Sequence, residues 1–306
     1  MSATTANTPP TLCLGEALVD LIGEEWVGAM RELHRFRPHF GGTMANVAVV
    51  AARAGAPIAL VGGVGDDEWG RWLADRLRAE GVDISGFALL AGVNTQLAFV
   101  AIDRAGEPRY ELYGEPVESL VHAAGDRIGA AIGSASGLLI SSNTLAGEQE
   151  RAVTMRAREL ALARQCPVAF DCNLRLHRWP SPAEAAKSAN ACVPGALLVR
   201  ANQAEAELMT GESDPERAAL AMCEAGAQLV VITLGSGGAI LRGAGRADVG
   251  SRPADVRSTV GAGDVFTGVL LARLALSGFD VSAAAPAMEE AAAAAARACE
   301  HWGALD

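Results

Sequence analysis

A glycine-rich turn directly before an apolar helix is the sharpest chemical feature of this sequence. It reads Ser258-Thr-Val-Gly-Ala-Gly-Asp-Val-Phe266. Gly261 and Gly263 let the backbone approach a ligand with its N–H groups pointing outward, and the positive end of the following helix adds attraction for an anion. Asp264 opens that helix, where a carboxylate beside an anion hole could take a proton from a hydroxyl that attacks phosphorus. The same residues could also form an ordinary Asp N-cap after a glycine turn.

A second glycine pair lies nearer the N-terminus, in Gly41-Gly-Thr-Met-Ala-Asn-Val-Ala48. Gly41 and Gly42 would let a small ligand approach the backbone. Asn46, at the start of a predicted helix, offers both a donor and an acceptor to hydroxyl groups. The alternative is a tight strand-to-helix turn with an Asn cap.

Short apolar runs and helical patterns alternate along the chain and must position these residues. The predicted strands cover residues 12–14, 58–61, 138–140, 168–170, 197–199 and 229–232. The predicted helices cover residues 46–54, 68–80, 148–164, 203–210 and 264–277. This order is typical of an α/β fold with a mostly parallel sheet covered on both faces. Residues 23–40 and 95–113 break the alternation, which predicts antiparallel additions outside the main sheet, either a flap over a pocket or an edge extension.

Polar residues follow most of the predicted strands. They are Asp20 and the loops 62–66, 171–175, 200–202 and 233–238. Each could be a capping loop, but ligands of such sheets bind beyond the carboxyl ends of the strands. The gathering of these loops at one edge therefore predicts a site.

Composition excludes several classes of function. A net charge of −11 over 306 residues argues against a broad basic surface for nucleic acid or anionic membranes. Residues 1–10 lack the features of a signal peptide, and the Ala run 291–296 is too short to span a membrane, so we expect a cytoplasmic protein. The six cysteines include no Cys-x-x-Cys pair, which makes structural zinc improbable. Lys187 is the only lysine and follows no glycine-rich loop, so nucleotide phosphates would be bound without a Walker-type loop.

The two glycine motifs resemble the signatures of the ribokinase-like (PfkB) family of carbohydrate kinases. Residues 41–65 match the first signature in every fixed position, and residues 261–264 match the core of the second. The similarity extends over almost the whole chain. It implies one kinase domain over residues 1–306, with a three-layer αβα fold, a central mostly parallel sheet and a small β lid formed by residues 23–40 and 95–113. It also implies ATP-dependent phosphorylation of a sugar hydroxyl, with Mg²⁺, under a lid that excludes water.

The resemblance assigns roles by position. Asp264 would be the catalytic base, and Gly261, Ala262 and Gly263 would form the anion hole. The sugar would be bound by Asp20, Gly41, Gly42, Asn46, Tyr113 and Arg175. The nucleotide would be bound by Asn202, Thr233, Gly235 and Gly238, and Glu205 would act on Mg²⁺ through water.

The resemblance also narrows the substrate. Asp171-Cys-Asn-Leu-Arg175, followed by Trp179, is similar to a pattern of fructokinases and 2-keto-3-deoxygluconate kinases. The stretch 110–115 looks more like fructokinases, since the deoxygluconate kinases usually have Tyr-Arg where this chain has Tyr113-Gly114. Fructokinase is therefore the leading prediction. A 2-keto-3-deoxygluconate kinase or another PfkB sugar or nucleoside kinase is the alternative.

Two departures from the family pattern keep other predictions open. Ser258 stands where relatives usually have an Asp that helps bind a monovalent cation, so dependence on such a cation is uncertain. Arg200 stands where many relatives have Lys, which keeps the charge but changes the shape. A sugar or nucleotide sensor without catalysis is thus an alternative. A nicotinamide-dependent oxidoreductase is a weaker one, because no Gly-x-Gly-x-x-Gly follows the first strand. Homodimerisation through the lid is common in the family, and the sequence does not establish it.

Overall fold

The computed structural model describes residues 8–114, 116–252 and 254–305. Residues 1–7, Glu115, Pro253 and Asp306, which the predicted domain 1–306 includes, lie outside these ranges. The strands are β1 Thr11–Leu14, β2 Leu18–Trp26, β3 Arg37–Gly41, β4 Ile58–Gly65, β5 Phe87–Leu90, β6 Leu97–Ile102, β7 Pro108–Tyr113, β8 Gly137–Ser141, β9 Val168–Asp171, β10 Leu198–Asn202, β11 Leu229–Thr233, β12 Ala239–Gly243 and β13 Ala247–Val249. The helices are α1 Thr43–Arg53, α2 Glu68–Ala79, α3 Val117–His122, α4 Gly125–Gly133, α5 Glu148–Ala163, α6 Pro182–Asn190, α7 Gln203–Thr210, α8 Pro215–Glu224, α9 Ala262–Leu276 and α10 Ala284–Ala298.

The described residues form a nine-stranded main sheet in the order β13-β12-β11-β10-β9-β8-β1-β4-β5. Its strands pair in parallel from β11 to β5, and β12 pairs antiparallel with both of its neighbours. Alternate residues of each strand enter two separate cores: Cys13 packs with α1, α2, α9 and α10, whereas Leu12 and Leu14 pack with α3 to α8. The predicted three-layer αβα fold is confirmed.

Local sequence signals account for the predicted elements. Every predicted strand and helix is present, with ends within a few residues. Asp67 caps α2 by accepting a hydrogen bond from the N–H of Gly70 at 2.8 Å, which places a helix start where the Asp-Asp-Glu sequence indicates one. The sequence did not predict β5, β12, β13, α3, α4, α6 or α8.

A second, four-stranded sheet has the order β3-β2-β6-β7. Its two outer pairs are antiparallel, as expected from the sequence, but β2 and β6 pair in parallel. The sheet begins at Leu18, earlier than the predicted segment 23–40, and therefore includes Asp20. Its inner face packs through Ile22 and Val100 against Val260, which lies in the turn that precedes α9. The small sheet thus covers one end of the main sheet. Within the described ranges, no helix is long and apolar enough to cross a membrane.

Candidate active site

A cavity lies between the small sheet and the starts of α1 and α9. It is lined by Glu16, Leu18, Asp20, Gly42, Thr43, Asn46, Gln96, Ala98, Tyr110, Leu112, Val117, Asn143, Arg175, His177, Arg178, Val260, Gly261 and Asp264. These residues come from the small sheet, from the loops that follow β1, β8 and β9, and from both glycine motifs. We call this cavity the inner cavity.

Asp264 is a buried carboxyl in the first turn of α9, and only 7% of it is exposed. Its Oδ2 accepts a hydrogen bond from Nδ2 of Asn46 at 2.9 Å, so the two glycine motifs meet at these side chains. Burial raises the pKa of Asp264 to about 7, and the negative charge of Asp171 adds to this rise. The Asn46 hydrogen bond and the cations Arg175 and Arg200 act in the opposite direction. A carboxyl that titrates near neutral pH is suited to general base catalysis.

The turn before Asp264 requires its glycines. Gly261 has φ +70°, and a Cβ there would lie 2.1 Å from Cβ of Ala304. A Cβ on Gly263 would lie 2.7 Å from Nη2 of Arg200. The start of the 15-residue helix α9 is therefore free of side-chain bulk, and its positive end faces this turn, where the N–H of Ala262 donates to the carbonyl of Thr259 at 3.2 Å.

Arg200 is fixed beside this turn by a buried network. Its Nη1 donates to Oδ1 of Asp171 at 3.3 Å, and its Nη2 donates to Oγ1 of Thr233 at 3.0 Å. Asp171, which is fully buried, also accepts from Oγ1 of Thr267 at 2.7 Å. The positive charge of Arg200 thus lies next to Gly263 and the start of α9. The sequence indicated Asp171 as part of a polar loop and of a family pattern. It did not reveal this network, because the partners of Asp171 come from β10 and α9.

Asp20 lies on β2, opposite His39 on β3, and lines the inner cavity. Burial raises the pKa of Asp20 to about 7, and the nearby Asp264 raises it further, while His39 and Arg175 oppose the rise. A Cβ on Gly41 would lie 2.3 Å from Oδ2 of Asp20, so this glycine makes room for the carboxyl.

Arg175 and Tyr110 form one wall of the inner cavity. The guanidinium carbon of Arg175 lies 5.7 Å from the centre of the Tyr110 ring. Tyr113, which the resemblance assigned to the sugar, is 56% exposed and packs edge-on against Phe99 with ring centres 5.3 Å apart. The structure does not bring Tyr113 to the cavity lining, whereas Tyr110 and Leu112 are there. Strand alternation could have revealed this, since residues 110 and 112 share one face of β7 and residue 113 lies on the other.

Sequence reasoning missed a group of polar residues at the same cavity: Glu16, Thr43 and Asn143. Oε1 of Glu16 accepts from the N–H of Thr43 at 3.0 Å and from Nδ2 of Asn143 at 3.1 Å. Oγ1 of Thr43 accepts from Nδ2 of Asn173 at 2.6 Å. These residues are far apart in the chain, so no local spacing marks them as a group.

Two further cavities continue from Asp264 along the ends of β10 and β11. One shares Gly261 and Asp264 with the inner cavity. The other contains all four predicted nucleotide residues, Asn202, Thr233, Gly235 and Gly238. Its far wall is formed by Phe266, Ala292, Ala295, Ala296 and Cys299, which the sequence did not indicate. These two cavities together form one cleft, which is polar near Asp264 and has an apolar end against α10.

Glu205 caps the start of α7 rather than offering a free carboxylate. Its Oε1 accepts from the N–H of Leu174 at 2.7 Å, and its Oε2 accepts from the N–H of Asn202 at 2.8 Å. Burial raises its pKa. The described residues contain no cluster of three or more His, Cys, Asp or Glu side chains able to hold a metal ion. Asn202 and Glu205 line the cleft and fit a hydrated Mg²⁺ bound mainly by phosphates and water.

Ser258, which departs from the family pattern expected from the sequence, is fully buried. Its Oγ accepts a hydrogen bond from the N–H of Val260 at 3.1 Å, and so stabilises the turn that leads to Gly261. The side chain here is neutral and serves the local backbone.

Comparison with known proteins agrees with the fold. The profile described as pfkB family carbohydrate kinase matches residues 10–305. Fructokinase-1 of Oryza sativa subsp. japonica is 34% identical over 266 residues, which is 85% of this chain and 81% of that protein.

Two solved structures are similar over nearly the whole chain. Fructokinase from Vibrio cholerae O395 with fructose, ADP and calcium ion has a TM-score of 0.82 and 28% identity, and the match covers 98% of this chain and 96% of that one. Fructokinase from Xylella fastidiosa with bound ATP has a TM-score of 0.82 and 26% identity, with coverage of 97% and 94%.

The chain therefore belongs to the pfkB family of carbohydrate kinases. The prediction that it is an enzyme of this class is confirmed, and the family decides against the oxidoreductase alternative.

Proposed function

We propose that this protein is a fructokinase that transfers the γ-phosphoryl group of ATP to a hydroxyl of fructose. The observation that carries the proposal is the position of Asp264, which lies at the boundary between the inner cavity and the cleft toward the nucleotide residues. A sugar in the inner cavity and a nucleotide in the cleft would meet at this carboxyl. The relatives named fructokinase support fructose as the sugar.

In the proposed mechanism, Asp264 acts in its ionised form and takes the proton of the attacking hydroxyl. The hydroxyl oxygen forms a bond to the γ-phosphorus as the bond to the bridging β-phosphate oxygen breaks, and ADP leaves. The N–H groups of Gly261, Ala262 and Gly263 and the cation of Arg200 stabilise the negative charge of the transferred group. Each of these groups is held in place before substrate arrives, so little reorganisation is needed.

Glu205, with Asn202 beside it, would act on a hydrated Mg²⁺ through water when the ion arrives with the nucleotide, since both oxygens of Glu205 already accept backbone N–H groups. When bound, that ion would neutralise charge on the β- and γ-phosphates. Thr233, Gly235 and Gly238 contribute the polar wall of the cleft, and the small residues of α10 leave room for the base.

The charges of the inner cavity favour a neutral sugar over a sugar acid. Three carboxyl groups, those of Glu16, Asp20 and Asp264, line it. Of the two arginines, Arg178 is engaged with Glu150 at 2.9 Å and with a backbone carbonyl, which leaves Arg175. Above the raised pKa values of Asp20 and Asp264, a substrate carboxylate would therefore meet more negative than positive charge.

Competition between substrates tests this specificity. Fructose and 2-keto-3-deoxygluconate are offered together with MgATP, and the two phosphorylated products are separated and quantified. We expect the fructose product to predominate. Predominance of the acid product would overturn the fructokinase assignment and make Arg175 a carboxylate clamp.

We also propose that the small sheet acts as the lid over the sugar. Its β6–β7 turn lies against the loop before the anion hole, where the carbonyl of Gly106 accepts from the N–H of Thr259 at 2.8 Å. A closed sheet would keep water from the γ-phosphoryl group. A cytoplasmic location and a homodimer through this sheet remain predictions, and sedimentation velocity tests the dimer.

A further inference from the structure

Glu16 presents an unused hydrogen-bond acceptor at the inner cavity. The residue lies between β1 and β2, lines the cavity and is only 3% exposed. Its Oε1 already accepts two hydrogen bonds, from the Thr43 N–H and the Asn143 side chain. Its Oε2 is buried and has no hydrogen-bond partner among the described residues. A buried acceptor without a partner is costly, and this cost is removed when a ligand donates to it.

The surroundings of Glu16 hold its carboxylate in one orientation. The N–H of Thr43 belongs to the first residue of α1, so the positive end of that helix faces the carboxylate. Asn143, which follows β8, donates to both Glu16 and Thr43, and Asn173, which follows β9, donates to Thr43. These hydrogen bonds hold the Glu16 carboxylate in place. Such a side chain has little freedom to turn away from the cavity.

A second acceptor of the same cavity is also unused. Oδ1 of Asn46 is buried without a partner, while Nδ2 of Asn46 is engaged with Asp264. The cavity therefore offers two vacant acceptors, one beside the proposed base and one on Glu16. A molecule with several hydroxyl donors satisfies both, whereas a ligand that lacks one of the donors leaves an acceptor unpaired.

We propose that Glu16 is a specificity-determining residue whose Oε2 accepts a hydrogen bond from a hydroxyl of the sugar that is not phosphorylated. This inference rests on the proposed sugar kinase function and adds a contact to it. The hydroxyl acts as the donor and no covalent step is involved. The carboxylate selects for that hydroxyl and against an acidic group at the same place.

The test is a double cycle between Glu16 and the hydroxyl groups of fructose. The kcat/KM of the wild type and of Glu16→Gln is measured with fructose and with each monodeoxy analogue at a hydroxyl that is not phosphorylated. For one analogue, the wild type is expected to lose about 10- to 100-fold, the loss typical of one hydrogen bond to a charged group. Glu16→Gln is expected to lose a similar factor with fructose and little more with that analogue.

The matched control is Asp67→Asn. Asp67 is also a carboxylate that accepts from backbone N–H groups at a helix start, but it lies outside the three cavities of the site. This variant is expected to discriminate among the analogues as the wild type does. If Glu16→Gln discriminates among them just as strongly as the wild type, Glu16 has only a structural role and the proposal is wrong.

Two additions separate the possible failures. Glu16→Asp keeps the charge but withdraws the oxygens from the cavity. It replaces Glu16→Gln if that variant does not fold. If Glu16→Asp then discriminates among the analogues as the wild type does, the proposal is wrong. The same cycle is run by calorimetric binding of the sugars, without ATP. Coupling in binding together with no ADP release would refute the kinase function and keep the Glu16 contact. ADP release without coupling would support the kinase function and refute the Glu16 contact.

Discussion

Replacement of Asp264 by Asn should reduce turnover and increase stability at the same time. The Asn side chain has nearly the same shape and can still accept the hydrogen bond from Asn46, but it cannot take a proton. We expect kcat to fall about 10²- to 10⁴-fold, the range contributed by a positioned general base. The fold should persist, because the lost group is a buried charge rather than a packing element.

The gain in stability follows from the pKa of Asp264. Its value is raised from 3.8 to about 7 in the folded protein, so the folded state binds more protons than the unfolded state between about pH 4 and pH 7. The free energy of unfolding of the wild type therefore falls as the pH rises through that window. The variant has no carboxyl at this position, so its free energy of unfolding does not fall for this reason. With about 1.4 kcal/mol for each pH unit, the advantage of the variant should grow by about 2–3 kcal/mol between pH 5 and pH 8.

Urea unfolding at pH 5 and pH 8, together with ADP release, measures both effects. Asp67→Asn is a control whose effect on stability should have the opposite sign. Burial alone would raise the pKa of Asp67, but hydrogen bonds from Thr95 and Gly70 hold that pKa below its usual range. That variant should be less stable than the wild type at pH 8, with normal turnover. A variant Asp264→Asn that keeps near wild-type turnover, or whose stability difference does not change with pH, would refute the reasoning.

Three other predictions follow from the same geometry. The kcat/KM of the wild type should decrease about tenfold per pH unit below about pH 7, because protonated Asp264 cannot act as a base; a pH profile that stays flat down to pH 5 would contradict this. Gly263→Ala should lower kcat by at least about 10-fold, since its Cβ would lie 2.7 Å from Arg200 beside the anion hole; steady-state kinetics with unchanged kcat would exclude that role. Gly268→Ala should destabilise the fold by about 1–3 kcal/mol in urea unfolding, because its Cβ would lie 2.6 Å from Val50 where α9 packs on α1; unaltered stability would show that the helices separate easily.

Local patterns predicted the layered fold and the two glycine motifs. The strands of the main sheet are short apolar runs, and α2 has an Asp cap and an apolar stripe, so neighbouring residues carry the information. The position of Asp264 at the start of α9 follows from the glycine turn before it. These features depend on backbone preferences within a few residues.

Long-range contacts account for what the sequence did not predict. Asp20 lies in the small sheet because β2 pairs with β6, more than 70 residues away along the chain. Glu16 and Asn143 meet across 127 residues, and nothing near either one indicates the other. Tyr113 was assigned to the sugar from a family pattern, whereas the alternation of β7 places Tyr110 at the cavity.

The central claim is that this chain phosphorylates a sugar at Asp264, and ADP release with MgATP tests it most directly. Purified protein is assayed with fructose, with and without potassium, and sugar phosphate is quantified beside ADP. We expect equal amounts of ADP and fructose phosphate, and no requirement for potassium, since Ser258 is neutral and hydrogen-bonded to Val260. Binding of fructose and ATP, seen as a higher melting temperature, without any ADP would contradict the claim and favour a sensor.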